Sequence, residues 1–74
     1  MNYPCIDLKA TGNNIKYYRK KSGITVSQMQ DYLMFNTPQA IYKWQRGVCL
    51  PTVDNLVAIS KLFNVTIDDI IVTN

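Results

Sequence analysis

Histidine is absent from this chain, and its two cysteines, Cys5 and Cys49, fall at a spacing that matches no metal motif. Zinc is therefore set aside and no cofactor is expected. Glycine stands only at positions 12, 23 and 47, so no phosphate-cradling loop can be assembled. Asp68 and Asp69 are neighbours on a predicted helix, where their carboxylates diverge rather than converge on a substrate. With no nucleophile–base pair either, the chain is not expected to be an enzyme. Long apolar runs are missing as well. None approaches the roughly 18 residues of a membrane span, and no secretory signal is expected before the domain. The expected location is the cytoplasm, and two reduced thiols are the expected state of the cysteines.

What is present is one small domain of 74 residues, 47% hydrophobic, which favours a folded core over disorder. Its net charge of +3 is unevenly spread. Residues 9–46 hold Lys9, Lys16, Arg19, Lys20, Lys21, Lys43 and Arg46 against Asp31 alone. Residues 47–74 hold Lys61 against Asp54, Asp68 and Asp69. A basic half joined to an acidic half suits a face directed at a polyanion, although solubility alone would also account for it.

Apolar spacing divides the chain into five short helices with no convincing sheet, an all-α class. Pro4 and the alternation of Ile6 and Leu8 disfavour a helix at the start, so residues 1–11 are read as an N-terminal arm and 12–74 as the domain. The first helix is expected over about 12–22, capped by Thr11, with Ile15 and Tyr18 inward and Gly23 as its stop. The second follows Thr25, with Val26, Met29, Tyr32 and Leu33 at helical spacing. Thr52 caps a fourth helix whose apolar residues are Val53, Leu56, Ile59, Leu62 and Phe63. Asn64 is its stop, and Thr66 with Asp69 forms a capping box for the last helix.

The stretch from Thr37 to Gly47 is the most informative. Thr37 is placed to cap a helix, Pro38 suits its first position, and Gly47 suits the left-handed residue that ends it. Ala40, Ile41 and Trp44 share an apolar side, while Gln39, Tyr42, Lys43 and Arg46 share a polar one. Amide, hydroxyl, ammonium and guanidinium groups together suit base edges and phosphates. A plain solvated helix face is the competing reading.

Helix, short turn and polar-faced helix ending in Trp44-Gln45-Arg46-Gly47 make a helix-turn-helix arrangement. Here the chain resembles the lambda-repressor-like, Cro/XRE class of DNA-binding regulators. The resemblance runs from Asn14-Ile15-Lys16-Tyr17-Tyr18-Arg19 through Pro38–Gly47 and Leu50–Leu56 to Phe63–Ile70. It implies a compact five-helix fold with the helix-turn-helix at helices 2 and 3. It also implies a sequence-specific regulator of transcription, a repressor by preference, whose third helix enters the major groove of double-stranded DNA. Carried over, Pro38, Gln39, Tyr42 and Lys43 take base-contacting positions, with Gln39 suited to adenine N6 and N7. Thr25, Ser27, Thr37 and Arg46 take phosphate positions. Many relatives have Glu where Gln45 stands, ion-paired with the arginine of the first helix, so Arg19 is also assigned to a phosphate.

Two further expectations follow. The turn has Met34 where relatives carry a small residue, often Gly, and it is one residue longer. This puts the register between the second and third helices in question. A homodimer is expected because a lone module binds weakly, and Ile67, Ile70, Ile71 and Val72 are its candidate surface, with core packing as the alternative. No small-molecule ligand or membrane partner is expected. A different class of function on the same scaffold is an antitoxin-like or anti-repressor-like protein-interaction module.

Overall fold

Asp7, not Thr11, opens the first helix. In the computed structural model, which describes residues 2–74, the Asp7 carboxylate accepts the Ala10 amide at 2.9 Å, and α1 runs over Leu8–Lys21. Residues 8–11, expected in the arm, form its first turn, and Met1 of that arm lies outside the described residues. Thr11 is fully buried instead, and its hydroxyl accepts the amide of Val72 at 3.0 Å. The remaining helices are α2 (Val26–Tyr32), α3 (Gln39–Gln45), α4 (Val53–Phe63) and α5 (Ile67–Ile70). The all-α, five-helix expectation holds.

Helix starts differ in how they satisfy their orphan amides. Thr25 and Gln28 form a reciprocal capping box on α2, and Thr66 and Asp69 form another on α5. Thr52 precedes α4 as expected, but its hydroxyl donates to Asp54 rather than capping an amide. α3 begins from Pro38 with no side-chain cap, so Thr37 does not play the capping part expected of it, and Pro38 stands one place outside the helix.

Four helices end in the same way. At α1 through α4 the residue after the last turn is left-handed, namely Gly23, Met34, Gly47 and Asn64, with φ between 56° and 74°. Paired backbone bonds close each end, as in Phe35 N–H to Gln30 C=O and Met34 N–H to Asp31 C=O. This is the Schellman arrangement, which favours Gly or Asn in the left-handed place. Met34 departs from that preference at 89% exposure. A side chain in this conformation costs about 1–2 kcal/mol.

Ile15, Met29, Ile41, Trp44, Ile59, Phe63 and Ile70 form the buried core. Every helix contributes to it, so the elements are held by a single apolar cluster. The C-terminal apolar residues are drawn into this body. Ile70 is fully buried, and Ile67, Ile71 and Val72 are half-buried. Asn14 donates to the carbonyls of Asp69 and Ile70, and the end of the chain pairs with its beginning. Asp7 N–H reaches Val72 C=O, and Asn74 N–H reaches Cys5 C=O, both at 2.8 Å around an antiparallel bridge between Ile6 and Thr73. Core packing thus accounts for Ile70 and in part for Ile67, Ile71 and Val72. Cys5 and Cys49 are both free and exposed.

Candidate nucleic-acid interface

α3 is seven residues long, too short to hold its shape alone in water, so its packing decides its direction. Ile41 and Trp44 anchor it in the core, and Phe35 of the preceding turn meets the Trp44 ring edge-on at 5.7 Å. Its principal helical neighbour is α1 rather than α2. The reason is Gly12. A methyl group there would run into the carbonyl oxygen of Trp44 and lie 2.9 Å from that of Gln45. Only a residue without a side chain lets the last turn of α3 rest directly on the α1 backbone.

The same junction has a second close approach. A side chain on Gly47 would lie 2.8 Å from the Lys9 Cα, besides having to adopt a φ of +74°. Arg19 completes the joint by donating from Nε to Gln45 Oε1 at 3.0 Å and from Nη1 to the Ile24 carbonyl at 2.9 Å. One side chain therefore ties the end of α3 to the entry of α2. The neutral acceptor Gln45 does face Arg19, as expected, but these two bonds leave only part of the guanidinium for a phosphate. Gly12 had not been singled out from sequence. The available signal was a glycine inside a helical apolar pattern, which often marks a close approach of backbones.

With Ile41 and Trp44 turned inward, the opposite face of α3 is open. Gln39, Tyr42, Lys43 and Arg46 are exposed there and together line a shallow depression of about 270 Å³. These are the four side chains that the polar spacing had grouped, and the structure brings them together. Pro38 lies at the start of α3 and is half-buried, while Thr37 is exposed in the preceding turn. Thr25 and Ser27 are exposed at the start of α2, where the Thr25 oxygen already accepts the Gln28 amide. Its hydroxyl proton remains available to an acceptor. Neighbouring Tyr17 and Tyr18 divide their roles. Tyr18 is half-buried against the core, whereas Tyr17 is 56% exposed under the Lys21 ammonium.

Two carboxylates are held below their usual range. For Asp69 the largest cause is the backbone amide of Thr66, followed by the Thr66 side chain. For Asp54 it is the Thr52 hydroxyl, followed by the Asn55 amide. Both are exposed helix-start residues. Among the described residues no group of three or more His, Cys, Asp or Glu side chains could hold a metal ion, and no helix is long and apolar enough to cross a membrane.

Two successive short helices, α2 and α3, joined by a turn, the second with an open polar face, make a helix-turn-helix arrangement. A helix-turn-helix family model matches residues 15–70, and the chain belongs to that Cro/C1-type family of DNA-binding transcription regulators. Among solved structures, the clp gene regulator ClgR from C. glutamicum matches at a TM-score of 0.71 and 16% identity, over 84% of this chain and 79% of that one. A second ClgR structure matches at 0.74 and 16% identity, over 84% of this chain and 65% of its own length. The DNA-binding domain of BldD matches at 0.72 and 15% identity, over 88% of this chain and 93% of that domain. At these identities the likeness is one of fold. Comparison with curated proteins gives no match.

Proposed function

We propose that the protein is a sequence-specific regulator of transcription that binds double-stranded DNA with α3 in the major groove. The observation that carries this reading is the open face of α3, where Gln39, Tyr42, Lys43 and Arg46 line one depression. Gln39 has the amide geometry for adenine N6 and N7, and Lys43 reaches guanine O6 and N7. Tyr42, at 43% exposure, presents a ring to a thymine methyl and a hydroxyl to a phosphate. Pro38 packs against the groove wall at the helix start. Thr25, Ser27, Thr37 and Arg46 grip the backbone, assisted by the remaining donors of Arg19, and set the register without reading sequence.

Occupying an operator in this way represses by exclusion, which requires no catalytic step. A homodimer with half-sites about 34 Å apart supplies the affinity one module lacks, in the cytoplasm where DNA and polymerase are found. The test is selection from random duplex oligonucleotides at fixed salt. Enrichment of a palindrome, lost with Gln39→Ala and Lys43→Ala, is expected. Salt-sensitive binding without any enriched sequence would overturn specificity.

A further inference from the structure

The basic residues of α1 are not equivalent. Arg19 is tied to Gln45 and Ile24, and the Lys21 ammonium sits 5.7 Å from the Tyr17 ring centroid. Lys9, Lys16 and Lys20 are exposed and follow a different line. They stand three before, four after and eight after Gly12, which puts all three on one flank of α1 beside the buried Gly12, roughly 40–80° around the helix from it. Gly12 itself is where the last turn of α3 rests, with the carbonyls of Trp44 and Gln45 against it. Lys9 is fixed there by its own backbone, whose Cα underlies Gly47, the residue after Arg46. The row therefore runs along the side of α1 next to the C-terminal end of α3, the end that also holds Lys43 and Arg46. Its length from Lys9 to Lys20 is about 16 Å along the helix axis.

Resting on the reading of the protein as DNA-binding, we propose that Lys9, Lys16 and Lys20 form a second contact surface. It takes the phosphates of duplex DNA flanking the bases that α3 reads. Three ammonium groups along one ridge are point charges on flexible stems, suited to backbone phosphates and unsuited to base discrimination. The surface would extend the footprint beyond the groove segment occupied by α3 while leaving the preferred sequence unchanged.

The experiment is the salt dependence of binding to the selected duplex, for wild type, the triple Lys→Gln variant, single K9Q and K16Q, and Lys61→Gln on α4 as a control. Each phosphate contact contributes about 0.9 to the slope of log affinity against log salt. The triple variant is expected to lower the slope by about 2–3 and each single variant by about 1, with K61Q at the wild-type value. Weaker binding at an unchanged slope would mean that the lysines only support the end of α3, and the inference falls. The same holds if the slope drops equally with K61Q, or if the loss appears on single-stranded RNA and not on duplex DNA. Failure of the wild type to bind any duplex would instead overturn the proposed function itself.

Discussion

The two ends of α3 are held in opposite ways. At the C-terminal end, Gly12, Gly47, Arg19 and Gln45 bring two backbones into contact and lock them with side-chain hydrogen bonds. At the N-terminal end there is no side-chain cap, and the chain arrives through a turn whose left-handed residue is a methionine. Phe35 on Trp44 is the one firm ring contact on that approach. In the proposed function, usage of the helix is the reverse of its anchorage, since base-reading residues in this motif lie toward the N-terminal end. The near end is held instead by packing and by the turn's own bonds: Ile41 is fully buried, and Gln30 donates to the Phe35 carbonyl at 3.2 Å.

The comparison can be broken most severely at the clamp. Gly12→Ala is expected to lower the unfolding free energy by about 3 kcal/mol, because the new methyl meets backbone carbonyls that cannot rotate aside. Urea melts with unchanged m-value measure this, and a loss below half that size would mean that α3 can lift from α1 cheaply. A smaller break is Gln45→Ala, which leaves Arg19 Nε without its acceptor and is expected to cost about 1 kcal/mol. Here Gln45→Glu should recover the loss, and more so at low salt, since the pair becomes ionic.

Cap chemistry separates the ends next. Thr25→Ala removes half of a capping box and should cost about 1 kcal/mol, whereas Thr37→Ala, outside any cap, should leave thermal stability near wild type. Equal losses for both would restore Thr37 as the start of α3. At the turn the sign inverts. Met34→Gly is expected to stabilise the fold by about 0.5–1 kcal/mol, the relief of left-handed strain less the added flexibility of glycine. A destabilised M34G would show that the methionine side chain contributes packing that outweighs its strain.

The smallest effect is acidic. Asp69 has its folded pKa lowered by the Thr66 amide and hydroxyl, so the carboxylate favours the folded state above its unfolded pKa. That contribution disappears as pH falls through the lower folded value, in the range beneath about pH 4. Stability curves for wild type and Asp69→Asn should run parallel at neutral pH and converge in that window. A divergence that grows toward acid would have the wrong sign.

Local chemistry made much of this visible in the chain. Gly23, Gly47 and Asn64 are the left-handed stops that their positions suggested, and the Thr66–Asp69 box forms as spaced. The four polar residues of α3 could be grouped because Ile41 and Trp44 fix the helical phase. Structure departs from local pattern where the deciding contact lies far away in sequence. Thr11 looks like a cap until Val72 claims its hydroxyl, and the alternation at Ile6 and Leu8 reads as an arm until Asp7 caps the next turn. As a glycine inside a helical pattern, Gly12 signals a close approach but not its partner, because the carbonyls it accommodates are more than thirty residues away.

The glycine notch also bears on how readily binding preference could change. Position 12 admits one amino acid, while positions 39, 42, 43 and 46 point outward and carry no part of the core. Scaffold and reader are thus written in separate sets of letters. On the proposed function, exchanging Gln39, Tyr42 and Lys43 on the outer face of α3 should replace one operator by another without a compensating change in the body. The chain can in that sense be treated as a socket with a replaceable key.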